Sequence, residues 1–279
     1  MSFLNMKGGV CKTTLCKEIA LYLAEKFDNK VLVIDIDPQS NCTQSFFERY
    51  HVLDEGKLLK EETRIQSIQK IFSPSPGRLE RADKDEVILE LTDNLHIIPG
   101  ELHTIFMERE TSTGASEQKL INFIANNCLK DLYDYILIDC PPTYSFYTTA
   151  ALLASDLYLI PVTPDAYSLL GVNLLEEVVG RIKDNYQINF KSHPLDNLGI
   201  IFTKVQKNPS VGVKNNIDEI KEALADRKIR FFENSFMKVE KLSTSQLSTF
   251  ILDRSDESLR VNMRSICAEF IDKVGEIGR

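Results

Sequence analysis

The 279-residue sequence contains little that breaks regular structure and no run that would cross a membrane. Only 12 glycines and 10 prolines are present, which excludes collagen-like and low-complexity chains. No apolar run reaches the roughly 20 residues that a membrane-spanning helix needs, and no charged-then-apolar leader precedes the first motif. We therefore expect a globular, cytoplasmic protein. The length would suit one large α/β domain or two small ones, and we predict a single domain over residues 1–279.

Cysteine spacing of the kind found in metal sites is also missing. The six cysteines never form the C-x-x-C pairs that a zinc or iron–sulfur site normally uses. We therefore predict reduced thiols that serve mostly as small core residues. They are Cys11, Cys16, Cys42, Cys128, Cys140 and Cys267.

Positive charge is scarce overall but unevenly distributed. The formal net charge is −8, which argues against a protein coated with basic residues. Residues 200–279 nevertheless carry 14 Lys and Arg against 12 Asp and Glu, a balance of +2, whereas residues 1–199 stand at −10. Any contact with a polyanion is therefore expected in the last third of the chain.

Apolar runs of strand length alternate with longer stretches of helical period. This alternation is typical of repeated βαβ units and predicts a mainly parallel, buried sheet. Residues 50–93 break the rhythm because they are charged and contain Pro74 and Pro76, and we expect a helical excursion and a surface loop there. The first strand begins almost at Met1, so we expect a few native residues to precede it. The predicted strands are 2–5, 31–36, 95–99, 135–139, 157–162, 198–203 and 230–235, and the predicted helices are 13–27, 117–130, 165–184, 214–226 and 257–275.

The stretch NMKGGVCKTT at residues 5–14 has the features of a phosphate-binding loop. A strand, a glycine-containing turn and a helix that begins at Thr13 would surround a phosphate with backbone N–H groups and the positive helix end. Lys12 would reach the β- and γ-phosphates of a nucleotide, and the Thr13 hydroxyl would bind Mg²⁺. A surface turn that happens to carry KGG and KTT is the alternative. The predicted nucleotide-binding residues are Gly8, Gly9, Val10, Cys11, Lys12, Thr13 and Thr14.

The segment KGGVCKT at residues 7–13 resembles the deviant Walker A motif, K-G-G-x-x-K-[ST], of the ParA/MinD superfamily of P-loop ATPases. The resemblance implies the fold of that superfamily, a mainly parallel twisted sheet flanked by helices on both faces. It also implies a nucleotide-sandwich dimer in which Lys7 crosses the interface to the phosphates bound by the other subunit. Most members have Gly where this chain has Cys11, and a Cβ there would strain the loop if its backbone needs a positive φ.

The segment VLVIDIDPQSNCTQS at residues 31–45 is an apolar strand that ends in two carboxylates, Asp35 and Asp37. Acidic residues at the carboxyl end of a parallel strand point into the crevice where doubly wound sheets bind ligands. The spacing resembles the D-x-D-P-Q segment of ParA proteins. That resemblance implies that Asp37 orients or activates the attacking water and that Asp35 supports the Mg²⁺ shell. A strand-end aspartate that caps the next turn is the alternative for this stretch.

The segment YDYILIDCPPTYS at residues 133–145 is another apolar strand, and it ends on Asp139. A carboxylate in this place would hold Mg²⁺, usually through water, as in other phosphoryl-transfer enzymes. The segment is similar to the family's I-I-D-x-P-P, whose prolines begin the second switch segment. Cys140 occupies a variable position of that pattern, and we expect it only to fill space.

Four further stretches are similar to later parts of ParA proteins, so the resemblance covers most of the chain except residues 50–93. The segments at 198–206 and 231–246 look like the late strands and the loop that, in ParA relatives, packs around the adenine base. Ordinary core strands are an equal alternative for all four. The other two stretches are 94–102 and 159–179.

The resemblance implies a slow ATPase that uses ATP and Mg²⁺ and serves plasmid or chromosome partition. An ATP-bound homodimer would bind DNA without sequence preference, and a ParB-type centromere-binding protein would trigger hydrolysis and release. The protein would be nucleoid-associated when ATP-bound and otherwise cytoplasmic. The basic candidates for DNA contact are Lys204, Lys207, Lys214, Arg254, Arg260 and Arg264, and a solvated surface is the alternative for each.

Competing functions remain open from the sequence. A MinD-like ATPase that cycles on membranes would call for a basic amphipathic terminal helix, but the final stretch AEFIDKVGEIGR is acidic to neutral. A cluster-bridged reductase of the nitrogenase iron-protein type does not match the contexts of Cys128 and Cys140. A protein-tyrosine kinase would carry a terminal tyrosine cluster, but no Tyr follows Tyr186. A nucleotide-gated binding module with little turnover stays possible because of Cys11.

Overall fold

The computed structural model describes residues 1–54, 57–58, 66–72, 82–101, 114–227, 229–238 and 250–278. Much of the predicted excursion at 50–93 therefore lies outside the described residues. Within the described ranges, no helix is both long and apolar enough to span a bilayer.

An eight-stranded sheet forms the centre of the described structure, with strand order β10-β9-β8-β1-β7-β2-β6-β5. All neighbouring strands pair in parallel except β5, which runs antiparallel to β6 at one edge. A separate two-stranded antiparallel ribbon joins β3 to β4. The strands are β1 (Ser2–Phe3), β2 (Val31–Asp35), β3 (Leu53–Asp54), β4 (Lys57–Leu58), β5 (Leu89–Thr92), β6 (Leu95–Ile98), β7 (Tyr135–Asp139), β8 (Leu157–Val162), β9 (Asp196–Val205) and β10 (Phe236–Met237).

Helices cover the sheet on both faces. The long ones begin where predicted to within a few residues, and short ones fill the connections. The helices are α1 (Lys12–Lys26), α2 (Asn41–Arg49), α3 (Gln69–Phe72), α4 (Lys84–Val87), α5 (Gly114–Glu117), α6 (Lys119–Asn126), α7 (Leu129–Leu132), α8 (Phe146–Leu153), α9 (Ser168–Asn185), α10 (Gln187–Ser192), α11 (Val211–Ala223) and α12 (Glu257–Ile277), with 3₁₀ turns at Ala225–Arg227 and Ile251–Asp253.

Alternate residues of the central strands enter two separate hydrophobic cores. In β2, Leu32 and Ile34 join the core that contains α6, α8 and α9 residues, whereas Val31 and Val33 join the core that contains α1 and α12 residues. Because side chains alternate across a strand, a strand buried along its whole length must be covered on both sides. The apolar run VLVID is therefore explained by the helical layers that cover both faces of the sheet. The predicted fold class is confirmed.

Several boundaries differ from the prediction for identifiable reasons. The strand predicted at 230–235 is wrong in position: Phe231 makes only an isolated bridge to Ile200, and the strand itself is β10. The helix predicted at 117–130 is divided into three short helices, and Cys128 has a left-handed φ of 50° between the last two. The edge strand β5 was not predicted, because its alternating burial sits in a charged stretch read as helix and loop. Helices α2 and α8 were also missed.

A buried acidic side chain joins α1 to the 3₁₀ turn at Ile251–Asp253. Glu18 is fully buried, and its carboxylate accepts the backbone N–H of Ile251 at 3.1 and 3.2 Å. Arg49 of α2 donates to both carboxylate oxygens of Asp253, at 2.8 and 2.9 Å, and to Glu25 at 2.8 Å. Burial raises the pKa of Glu18 to about 8, against the opposing effects of Lys17 and the Ile251 N–H.

We predict that Glu18→Gln changes how stability depends on pH. The folded protein holds a proton on Glu18 that the unfolded chain releases between pH 4.5 and about 8, so the free energy of unfolding falls as pH rises through this window. A glutamine keeps an oxygen for the Ile251 N–H without the charge. The variant should match the wild type near pH 5 and exceed it by more than about 1 kcal/mol at pH 8, measured by urea unfolding. Parallel pH profiles for the two proteins would contradict this assignment.

Candidate nucleotide-binding site

The loop between β1 and α1 lies at the carboxyl edge of the sheet. Because β1 sits between β7 and β8 in the middle of the strand order, the loop emerges at the centre of this edge. Asn5 fixes its first part by donating from Nδ2 to the Pro161 carbonyl at 2.7 Å and accepting the Lys7 N–H at 2.9 Å. The Thr203 hydroxyl fixes its second part by donating to the Val10 carbonyl at 3.1 Å. The loop is therefore held on both flanks by strand ends.

The two glycines leave open space where a ligand could approach. A Cβ added to Gly8 or Gly9 would meet no atom within 4 Å, and Gly9 has φ +71°, which favours glycine. Lys12 follows as the first residue of α1, and Thr13 and Thr14 are half-buried in its first turn. The backbone N–H groups at this helix end make it suited to an anion.

Cys11 has the positive φ at which a Cβ was expected to strain the loop. Its φ of 68° and ψ of 28° place a non-glycine residue in the left-handed region, immediately before α1. A Cβ in that region costs about 1–2 kcal/mol. Burial raises the pKa of the Cys11 thiol, whereas Lys204 and the Thr203 side chain lower it. Because both of these residues are in β9, the thiol lies against the end of that strand. Cysteine in place of glycine therefore strains the backbone at this position.

Lys12 is nearly buried, with 7% of its surface exposed. Its Nζ donates to the Lys7 carbonyl at 3.3 Å. Burial lowers the pKa of Lys12, whereas Asp139, Cys140 and Asp37 act in the opposite direction. An ammonium group is therefore held out of water and close to two of the predicted carboxylates.

Asp139 is the carboxylate whose oxygen atoms are available to a ligand. It ends β7 opposite Asp35 in the register of β2, and it is fully buried. Neither of its carboxylate oxygens has a hydrogen-bond partner within the described ranges. Burial, with Asp35 next, raises the pKa of Asp139 well above its usual value, while Thr13 and Lys12 oppose the shift. An orphaned carboxylate of this kind, beside a threonine hydroxyl, has the chemistry of a Mg²⁺ site.

The donor set fits Mg²⁺ rather than a metal held by many side chains. The described residues contain no group of three or more His, Cys, Asp or Glu that could hold a metal ion. Mg²⁺ commonly keeps several waters and takes one or two protein ligands together with substrate phosphates. Thr13 and Asp139 would supply such a pair.

Asp35 and Asp37 lie at the end of β2 but differ in their bonding. Asp35 accepts the Thr43 hydroxyl at 2.6 Å, the Thr43 N–H at 2.8 Å and the Asp37 N–H at 3.2 Å. Burial raises the pKa of Asp35 to about 7, against these hydrogen bonds. Asp37 is 8% exposed and accepts the Gln39 N–H at 2.9 Å. The turn-capping role that was the alternative for this stretch is therefore seen at Asp37.

Lys7 points to its own chain. Its Nζ lies 2.7 and 2.5 Å from the two carboxylate oxygens of Asp165, which follows β8. Asp165 also accepts from Thr163, Tyr167 and Ser168. Burial would raise the pKa of Asp165, but these hydrogen bonds outweigh it and lower the pKa to about 2. A cleft of about 520 Å³ opens beside this ion pair, and Gly8, Gly9, Lys204 and Lys238 also line it.

Five of the six basic candidates fall into two groups. Lys204, Lys207 and Lys214 are exposed, and Lys204 borders the cleft beside the loop. Arg260 and Arg264 instead line a second cleft of about 480 Å³ between α1 and α12, with Lys26. Arg254 is partly buried after the 3₁₀ turn. The loop predicted to pack around adenine is described only as far as residue 238, and residues 239–246 lie outside the described residues.

Three residues at this edge were missed from the sequence. Asp165 carried a usable signal, since it is an acidic residue just past a buried parallel strand. Thr43 and Gly100 carried none, because nothing in their sequence neighbourhood shows that they meet. Of the six cysteines, four are buried in the core as predicted, Cys11 is half-buried and Cys128 is exposed.

We predict that Cys11→Gly is more stable than Cys11→Ala by about 1 kcal/mol. Both changes remove the sulfur, but alanine keeps the Cβ that the left-handed backbone disfavours. Urea unfolding of the two variants measures the difference. Equal stability, or a more stable alanine variant, would show that the backbone at this position is not strained.

Known proteins are similar to this chain over most of its length. A family model described as an AAA domain (AAA_31) matches residues 1–192. The virulence plasmid ParA family protein pGP5-D of Chlamydia psittaci is 30% identical over 205 residues, covering 73% of this chain and 68% of that protein. The sporulation initiation inhibitor protein Soj of Bacillus subtilis is 29% identical over 224 residues, covering 80% and 79% respectively.

A solved structure shows the same architecture over nearly the whole chain. A plasmid partition protein of Borrelia burgdorferi bound to AMPPNP is similar with a TM-score of 0.68 and 25% identity, covering 98% of this chain and 97% of that one. The fold agrees with these similarities. The chain therefore belongs to the AAA_31 family and is a P-loop ATPase of the ParA/MinD type.

Proposed function

We propose that this chain is a partition protein that hydrolyses ATP as a nucleotide-sandwich dimer and binds DNA without sequence preference while ATP is bound. The observation that carries the proposal is that Lys12 is buried close to Asp139 at the start of α1 and that the Asp139 carboxylate has no hydrogen-bond partner among the described residues. Relatives named for plasmid partition support the biological role. The proposed location is the cytoplasm, with nucleoid association in the ATP state.

The loop residues have distinct roles in the proposed reaction. Backbone N–H groups from Gly8 to Thr13 cradle the phosphates, and Lys12 neutralises charge on the transferring phosphoryl group. Thr13 and Asp139 would hold Mg²⁺, which supplies further charge stabilisation when bound. Asp35, the third carboxylate predicted for that shell, accepts three hydrogen bonds within its own chain. Asp37 orients the attacking water.

Lys7 links hydrolysis to dimerisation in this proposal. To reach the nucleotide of a partner subunit, its Nζ must leave Asp165 of its own chain. A phosphate and a carboxylate are alternative anionic partners for the same ammonium group. ATP binding and dimerisation then strengthen each other, because each site is completed by the neighbouring subunit.

DNA binding would use the exposed basic residues of the last third. Lysines and arginines that contact phosphates release counterions, so affinity falls steeply with salt. The two groups, Lys204 with Lys207 and Lys214, and Arg260 with Arg264, are the candidate contacts. A ParB-type centromere-binding protein is the proposed partner that triggers hydrolysis.

A second candidate function is a nucleotide-gated binding module with little turnover. The left-handed Cys11 favours it, since strain in the phosphate-binding loop would weaken the site. Such a module would bind ATP and dimerise, but its hydrolysis would be negligible with or without Asp37.

We predict that three substitutions separate the steps. Lys12→Ala should abolish ATP binding, and Lys7→Ala should bind ATP but remain monomeric. Asp37→Ala should dimerise with ATP but turn over at least about a hundredfold more slowly. Nucleotide titration, light scattering and phosphate release measure the three properties. Lys191→Ala, an exposed lysine on α10, is the matched control and should behave as wild type.

The same preparations test the DNA step. Wild-type protein with ATP, but not with ADP, should bind duplex DNA, and affinity should fall at least about tenfold between 50 and 200 mM salt if two or more phosphates are contacted. Equal and negligible hydrolysis by wild type and Asp37→Ala would favour the binding module. Absence of ATP-dependent dimers would refute the proposal.

A further inference from the structure

A tight turn carries Asp37 away from the end of β2. The Ser40 N–H donates to the Asp37 carbonyl at 2.8 Å, and the Gln39 N–H donates to the Asp37 carboxylate at 2.9 Å. Ser40 has a φ of 52°, in the left-handed region that a non-glycine residue rarely occupies. A turn with this conformation persists only where its surroundings hold it. The contacts that hold it determine where the Asp37 carboxylate stands.

Those contacts converge on one buried hydroxyl group. Thr43 Oγ1 donates to Asp35 Oδ2 at 2.6 Å and accepts the Gly100 N–H at 2.8 Å. The Thr43 N–H donates to the same Asp35 oxygen at 2.8 Å, and the other Asp35 oxygen accepts the Asp37 N–H at 3.2 Å. Asp35 is fully buried and Thr43 is 5% exposed. The chain after β6 is thereby joined, through Thr43 and Asp35, to the backbone of Asp37.

Gly100 packs directly against this arrangement. A Cβ at Gly100 would lie 2.9 Å from Asp35 Cγ, 3.0 Å from Ser40 Oγ and 3.1 Å from the Asp35 carbonyl oxygen. Two of these atoms belong to a buried side chain and to the backbone, so they cannot move aside cheaply. The close approach therefore requires glycine. We name Asp35, Thr43 and Gly100 the Asp35 clamp.

We propose that Thr43 is a positioning residue for hydrolysis and that it acts through the Asp35 clamp to fix the turn that carries Asp37. The inference rests on the proposed function, in which Asp37 orients the attacking water. An ionised carboxylate offers about four acceptor sites, and Asp35 uses three of them within its own chain. Asp139, by contrast, leaves both oxygens without a partner among the described residues. Asp35 therefore serves to place Asp37, and Asp139 is the carboxylate left to face the cation.

The test compares Thr43→Val with Thr43→Ser. Valine has nearly the same shape but leaves the Gly100 N–H without its acceptor and Asp35 without one donor, whereas serine keeps the hydroxyl. Thr43→Val should lower kcat at least about tenfold while ATP affinity stays within about twofold, and Thr43→Ser should recover most of the rate. In the nucleotide-free protein, Thr43→Val should also speed hydrogen exchange at the Gly100 amide, measured by NMR.

A buried threonine elsewhere supplies the matched control. Thr149→Val removes a buried hydroxyl that donates from α8 to the carbonyl of Ser145, the residue before that helix, and it should change neither kcat nor exchange at Gly100. Gly100→Ala approaches the clamp from the opposite side. It should reproduce the loss of kcat at unchanged ATP affinity, which keeps the proposal testable if Thr43→Val does not fold.

Coupling to Asp37 separates positioning from a general structural effect. In an Asp37→Ala background, Thr43→Val should cause no further loss of kcat, because the residue it positions is gone. Independent, multiplicative losses would overturn the proposal. So would a Thr43→Val variant with wild-type kcat, or one whose ATP affinity falls as much as its rate. A wild-type protein without ATP hydrolysis would instead refute the proposed function itself.

Discussion

The site depends on charge that the fold buries at one edge of a parallel sheet. Because β1, β7 and β2 are adjacent and parallel, the residues at their carboxyl ends converge on the start of α1. Lys12 is buried there near Asp139 and Asp37, and burial acts against ionisation of the buried groups, lowering the pKa of Lys12 and raising those of Asp35 and Asp139. Such an arrangement is costly to fold. The cost is explained if these residues bind a charged ligand, because strongly shifted pKa values are often found at functional sites.

The three carboxylates differ in whether their oxygen atoms are already hydrogen-bonded. Asp35 is occupied by its own chain, Asp37 caps its turn, and Asp139 alone among the three has both oxygens unpartnered in the described residues. Lys7 is likewise occupied, but by a partly exposed ion pair with Asp165. An exposed pair of this type contributes little to stability, so it can be exchanged for a stronger anion. The fixed contacts thus lie around the residues proposed for hydrolysis, and the exchangeable contact lies at the proposed dimer interface.

Local sequence pattern predicted the parts of this arrangement that lie within one segment. Each of the three motifs ends a buried strand, so the fold class and the convergence of Lys12, Asp35, Asp37 and Asp139 followed from alternation and strand-end chemistry. From the sequence, strain at Cys11 could be predicted only on the condition that the backbone there has a positive φ, and the sequence did not show whether it does. The Asp35 clamp could not be predicted at all, because Thr43 and Gly100 are 57 residues apart in sequence and meet only through packing. Cys128 interrupts a predicted helix for the same kind of reason, a backbone conformation that composition does not reveal.

The most direct test of the account is diffraction from crystals grown with Mn²⁺ and a non-hydrolysable ATP analogue. Manganese gives an anomalous signal and takes the oxygen ligands that Mg²⁺ prefers. We expect a triphosphate at the amino end of α1 and one manganese peak bound to the Thr13 hydroxyl on the side facing Asp139. A nucleotide bound elsewhere, or a metal peak remote from Thr13 and Asp139, would contradict it.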